Sequence, residues 1–293
     1  VFYLLTVSLL WAFSFGLVKG QLAGIDAVAI SVIRLVFALL TFLPGMKLKG
    51  VGMKLRWKLT MIGALQFGVM YMLYLGSFNY LKAYEVALST IFTPLYIVLI
   101  DALLERKWQW RFLLAAAVAL VGTLIVIKDS AMTPSRWTGF LMMQGANLCF
   151  ALGQLAWRKV HLELDALKLS DAQLFALPYA GALMVCFVVS LFITDWRAFH
   201  PSLLQWIIIA YLGVLASGLC FFWWNRGAER VNAGALAVMN NIKLPLGIAV
   251  SLIVFGEKTN LPQLIVGCLI IASGLWFSGR DPKPQIKAPQ DRS

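Results

Sequence analysis

Charge is scarce in this chain, and acid scarcer than base. Asp and Glu number 13 among 293 residues, and charged residues of every kind make up 13%. Soluble domains carry about twice that share, roughly 25%. With 61% of the residues hydrophobic, a soluble core of this size could not enclose the apolar side chains. A bilayer supplies an apolar solvent for them. Histidine occurs twice, as His161 and His200, both read as loop residues far from any ligand partner. The four cysteines (Cys149, Cys186, Cys220, Cys268) are widely spaced inside apolar runs, with no C-x-x-C. That spacing argues against a disulfide or metal framework and for small buried hydrophobes. There is no H-E-x-x-H, no G-x-S-x-G, no paired mid-span aspartate and no Gly-rich phosphate loop. Intramembrane hydrolysis and direct coupling to ATP therefore lack their usual residues, and no enzyme activity, cofactor or ATPase subunit is expected. The first apolar run starts at Val1 without a basic leader, so no cleavable signal peptide is expected.

What is present is base: the net charge is +12. A nucleic-acid partner is excluded by position, because the basic residues sit between apolar runs and not on one soluble face. Ten apolar segments of bilayer length can be drawn. They cover 2–18, 27–45, 59–81, 86–104, 112–127, 138–157, 172–194, 204–225, 234–255 and 261–279. Lys and Arg in the loops give the orientation. One alternate set of loops and the C-terminal tail hold 17 basic residues, the opposite set 6. The richer set is cytoplasmic by the positive-inside rule, and an even span count puts both termini inside. The tail, 281–293, is rich in Pro and charge and is expected to be disordered.

The segment GALQFGVMYMLYLGSFNYL from Gly63 resembles GVLASGLCFFWWNRGAERV from Gly213. Each is followed by a span with a central proline, Pro94 or Pro245, then by a Glu-base pair, Glu105-Arg106 or Glu257-Lys258, then by a Gly-containing span. Five spans thus occur twice, over 1–128 and 129–280. An odd number of spans per copy inverts the second copy. The fold class expected is an all-α membrane protein with ten transmembrane helices in two inverted five-helix repeats. Inverted repeats with Pro-interrupted helices at matching positions are the pattern of secondary transporters. The cavity is expected between spans one to four and six to nine, with the fifth and tenth peripheral. The lipid bilayer and a small-molecule substrate are the partners expected, and the chain itself a monomer or weak dimer. Gly16-x-x-x-Gly20-x-x-x-Gly24 is a small-residue stripe that permits close helix contact.

Arg34 is the sharpest single feature. It lies about eight residues into the second span, where an unpaired cation costs at least ~2.5–3.5 kcal/mol. It must face the bundle interior, as an anchor for a carboxylate, in an ion pair with Asp101 or Glu85, or in hydrogen bonds to helix carbonyls. Lys243 lies mid-way along the ninth span, two residues before Pro245, with Asn240 on its face and Asn241 beside it. Pro245 also frees the Asn241 carbonyl from its helical bond. The sixth span carries a polar stripe of Gln144, Asn147 and Gln154. The third brings Gln66 and Tyr74 to one face with Tyr71 beside them, and the first brings Trp11, Ser14 and Phe15. Substrate-binding candidates are Arg34, Lys243, Asn240, Asn241, Asn147, Gln66, Tyr71, Tyr74, Trp11 and Gln144. Two mid-span cations without a central carboxylate favour an anionic solute. The aromatics and amides suit one with an apolar body and a hydrogen-bonding head. An aromatic amino acid or another monocarboxylate satisfies that chemistry equally.

The run from Pro245 to Gly274, with G-E-K and Q-L-I-V-G-C-L-I-I-A-S-G, resembles the closing half of an EamA-type domain of the drug/metabolite transporter superfamily. Pro94 to Gly122 repeats it, with Leu104 where that family usually has Gly. The strings at 9–15, 66–73, 93–97, 216–218 and 239–241 are more narrowly similar to the biotin-transporting members of that superfamily. The resemblance implies two five-helix repeats around a central cavity and biotin uptake across a bacterial inner membrane, with export of amino acids or other small metabolites or drugs as the rival.

Overall fold

The computed structural model describes residues 2–105, 110–127, 133–166, 170–228 and 245–278. All regular structure among them is helical. The helices are α1 (Phe2–Gln21), α2 (Ala27–Phe42), α3 (Met53–Ser77) and α4 (Ala83–Leu104), α5 (Trp110–Ile127) and α6 (Pro134–Ala166). They continue as α7 (Asp171–Ile193) and α8 (Leu203–Gly227), α9 (245–253) and α10 (Leu261–Ser278). Six of them (α1, α2, α3, α4, α7 and α8) are long and apolar enough to cross a membrane. The chain is a multi-pass membrane protein. Asn240, Asn241 and Lys243, the first half of the expected ninth span and the tail lie outside the described residues.

Local chemistry sets the helix starts. Asp26 caps α2 by accepting from the Ala29 N–H at 2.7 Å. Ser202 and Gln205 cap α8 reciprocally, each side chain bonding the other's backbone N–H, which satisfies two donors that a helix start otherwise leaves open. Helix α6 is longer than the 20-residue span expected, at 33 residues, or about 50 Å of axis. Its extra turns are polar and find polar partners: Glu163 pairs with Lys58 of α3. His161 is therefore helical, not a loop residue, and its Nδ1 lies 3.0 Å from Asp171.

Proline breaks α4. Pro94 has no N–H, so the Thr90 carbonyl loses its normal donor. The Thr93 N–H takes that carbonyl instead, at 3.1 Å. Thr93 is thereby withdrawn from Ser89, whose carbonyl accepts from Asn147 Nδ2 of α6 at 2.7 Å. An amide from another helix thus completes the break.

Helices α3 and α8 each contain a π-turn, Ala64–Val69 and Leu212–Leu219. Both lie in the pair of sequence segments that resemble each other. The packing around them is reciprocal: α3 lies along α7, α8 lies along α2, and α2 and α7 touch between them. The α3–α7 seam is backbone on backbone. A methyl added at Gly63 would lie 1.9 Å from the Pro178 carbonyl oxygen, and one at Gly181 2.0 Å from that of Thr60. Helices α5 and α10 pack chiefly on each other. The Gly16 and Gly20 stripe of α1 is covered within the chain by the Phe255 ring, so it is not a free docking stripe.

Candidate functional site

A cavity opens among α1, α2, α3, α4, α6 and α8. Its walls are Trp11, Ser14 and Phe15 of α1, Arg34 of α2, Met70, Tyr71 and Tyr74 of α3, Thr90 and Thr93 of α4, Met143, Ala146, Asn147 and Phe150 of α6, and Phe221 of α8. Helices α5 and α10 contribute none of these residues, and neither does α7, which the sequence had placed at the wall. Helix α7 acts from behind. The hydroxyl of Tyr179 donates to the carbonyls of Ser217 at 2.6 Å and Gly218 at 3.0 Å.

Those carbonyls belong to the π-turn of α8. A π-turn loosens the i−4 bonding ladder and leaves main-chain groups to be satisfied from outside the helix. Three side-chain groups do so here: Tyr179, the Trp11 indole N–H on the Ala216 carbonyl at 2.9 Å, and the Ser217 hydroxyl on the Leu212 carbonyl at 2.8 Å. Ser217 is thereby fixed as an acceptor facing α2 and α3. Tyr71 donates its hydroxyl to Ser217 Oγ at 2.7 Å. Arg34 Nε donates to Ser217 at 3.2 Å and Nη2 to the Tyr71 oxygen at 3.2 Å. The guanidinium carbon also sits 4.7 Å from the Tyr71 ring centroid, within cation–π range.

Arg34 is 2% exposed. Among the described residues its Nη1 has no hydrogen-bond partner and it forms no ion pair. The Glu85 partnership weighed from sequence does not form, because Glu85 pairs with Arg136 of α6; the Asp101 side chain lies outside what is described. A buried charged group left short of a hydrogen bond is costly. The arrangement is a rigidly aimed cation with one unused nitrogen, in a wall otherwise of aromatic, methionine and hydroxyl side chains with a single amide, Asn147.

Around it, Phe15 and Tyr74 rings lie 6.2 Å apart, Trp11 and Phe221 5.1 Å, and Phe150 and Phe221 5.7 Å. Asn147 Oδ1 accepts from the Thr93 hydroxyl at 3.0 Å. Of the residues expected from sequence, Arg34, Tyr71, Tyr74, Trp11 and Asn147 come together at the cavity. Gln66 does not line it: it is fully buried one turn away, its Cβ packed on Gly153. Gln144 does not either, accepting instead from the Tyr96 hydroxyl of α4 at 3.1 Å. Ser217 and Phe221 were missed. Ser217, Phe221 and Trp224 recur at helical spacing on α8, which was the available signal.

The far end of α1 carries a polar closure. The Lys19 ammonium donates to the Phe78 carbonyl at 2.6 Å. Glu257, read from sequence only as part of a repeated Glu-base pair, accepts from the Ala83 and Tyr84 N–H groups at 2.9 and 3.2 Å. Its carboxylate therefore caps the positive end of the α4 dipole.

Three comparisons bear on what such a site belongs to. The EamA-like transporter family matches residues 1–128 and 137–279. A Pseudomonas aeruginosa protein described as a probable biotin transporter is 38% identical over 277 residues, 94% of this chain and 96% of its own. The Escherichia coli K12 biotin transporter is 35% identical over 290 residues, 98% of this chain and 96% of its own. One solved crystal structure, 18% identical, superposes with a TM-score of 0.68 over 94% of this chain and 95% of that one.

Proposed function

The chain belongs to the EamA-like transporter family, and from that premise we propose that it is a secondary transporter that takes up biotin across the bacterial inner membrane. The observation that carries this reading is Arg34, a buried cation held by Tyr71 and Ser217 with Nη1 unused. A carboxylate is the natural partner for that nitrogen. The aromatic walls suit an aliphatic chain, and Asn147, Thr90 and Thr93 suit a head that both donates and accepts hydrogen bonds. Relatives named as biotin transporters over nearly their whole length support the choice among carboxylates. Asn240, Asn241 and Lys243 join the site from the second half in this proposal.

The architecture proposed is ten spans in two inverted five-helix repeats, 1–128 and 129–280, working by alternating access. The paired π-turns, the reciprocal α3–α7 and α8–α2 packing and the two-part family match support it. An inside-negative potential opposes anion entry by about 2.3 kcal/mol per charge per 100 mV, so uptake requires a co-transported proton or consumption of biotin inside.

The test is uptake of labelled biotin by cells lacking their own transporter. Expression of this chain should restore saturable uptake, and an uncoupler should abolish it if a proton travels with the solute. Cells that accumulate no more label than the vector control would refute the substrate. The orientation has its own test. A periplasm-dependent reporter fused after Ser293 is expected to be silent and a cytoplasm-dependent one active; the reverse pattern would overturn the placement of both termini inside.

A further inference from the structure

Three helices carry a buried amide one turn beyond the cavity wall, all on the same side. On α6, Gln154 follows Phe150 by four residues. On α8, Asn225 follows Phe221 by four. On α3, Gln66 precedes Met70 and Tyr71 across the π-turn. The direction runs toward the N-terminal end of α3 and the C-terminal ends of α6 and α8; α3 and α6 pack on each other, and Phe221 of α8 lies against Phe67 of α3 and Phe150 of α6. Gln66 packs its Cβ on Gly153, next to Gln154. The amides are 0%, 2% and 2% exposed for Gln66, Gln154 and Asn225. Yet among the described residues Gln66 Nε2 and Oε1, Gln154 Nε2, and Asn225 Nδ2 and Oδ1 have no hydrogen-bond partner.

An orphaned buried amide carries a desolvation cost that nothing offsets. Apolar residues of the same shape would remove that cost, so three such amides at one level need a use. Between them and the cavity lies a layer of rings. Phe221 is 4.9 Å from Phe67 and 5.7 Å from Phe150, centroid to centroid. The order along the axis is thus the Arg34 cavity, an aromatic layer, then a tier of unpaired donors and acceptors.

We propose that this tier is a second subsite on the transport path, which receives the uncharged hydrogen-bonding head of the solute once the aromatic layer parts. The inference rests on the transporter reading above and extends it. Three unpaired nitrogens and two unpaired oxygens match a cyclic urea or a similar amide-like group, not a carboxylate. The Arg34 site holds the charged end of the solute while the tier offers the other end its next partners. An apolar inner surface would instead leave that head unpaired as it moved, which raises the barrier.

The test separates rate from affinity. Gln154→Met and Asn225→Leu remove the amides while keeping volume close. In purified protein both variants should bind labelled biotin within about twofold of wild type, and melt at or above the wild-type temperature. In proteoliposomes their maximal biotin uptake rate should fall at least tenfold, and Gln154→Asn, which keeps an amide, should recover part of it. Wild-type uptake rates in both apolar variants would overturn the subsite. So would failure of both to fold, since the amides would then be structural. If the wild-type protein itself takes up no biotin, the transporter reading fails and the subsite with it.

Discussion

Purified Arg34→Ala protein is expected to bind free biotin only as well as it binds an uncharged biotin amide, losing a wild-type preference of roughly 10–100-fold. Arg34 is held at two of its nitrogens by hydroxyls that are themselves anchored, Tyr71 on Ser217 and Ser217 on the Leu212 carbonyl. Nothing in that set neutralises the charge, which in the proposed reading leaves the counter-ion's place to the solute's carboxylate. Arg34→Lys should be impaired as well, although less, because an ammonium cannot reach Ser217, Tyr71 and a solute in one plane. Binding to folded protein is the decisive measurement, since transport alone would confuse a lost anchor with a lost fold. If folded Arg34→Ala still prefers the free acid by the wild-type ratio, Arg34 is a structural cation and the carboxylate is recognised elsewhere.

The second large effect concerns the fold. Gly63→Ala and Gly181→Ala should each abolish recovery of monodisperse protein, or lower its melting temperature well beyond any cavity mutant. Each added methyl meets a backbone carbonyl about 2 Å away, which cannot rotate aside as a side-chain end can. Overpacking of this kind costs about 1–3 kcal/mol or more even where helices can shift, and these two sit face to face across one seam. Gly52→Ala, where a methyl meets nothing within 4 Å, is the control and should behave as wild type. A normal melting curve for Gly63→Ala would mean that α3 and α7 do not lie this close.

Arg34 was legible in the sequence because a cation inside an apolar run has few physical explanations. Trp11, Tyr71, Tyr74 and Asn147 followed from sharing polar or aromatic faces with it or with other wet positions. The misplaced residues share a different cause. A 3.6-residue period put Gln66 on the face of Met70 and Tyr74. The π-turn at Ala64–Val69 inserts a wider step there, and such a step turns the residues before it relative to those after it. Ser217 shared a face with Phe221, but its role depends on a carbonyl five residues back that only the π-turn of α8 brings to it. Glu257 was recognised as half of a repeated pair, but its work, capping α4 from a segment more than 170 residues away, is tertiary and leaves no local trace. Helix boundaries in α3 and α6 were drawn short because Met53–Lys58 and Arg158–Ala166 are polar, and polarity marks where lipid ends rather than where helix ends.

The close seam between α3 and α7 also sets a schedule for making the protein. Gly63 emerges from the ribosome about 115 residues before Pro178, roughly 6–23 s earlier at ordinary elongation rates. Throughout that interval α3 carries a glycine face whose partner does not yet exist, and the Thr60 carbonyl waits for Gly181. Any other small-residue helix in the insertion site could occupy that groove first. Slow translation between α4 and α7 would lengthen the vulnerable period. The yield of correctly assembled protein should therefore respond to synonymous codon changes in that stretch, although the finished chain is identical.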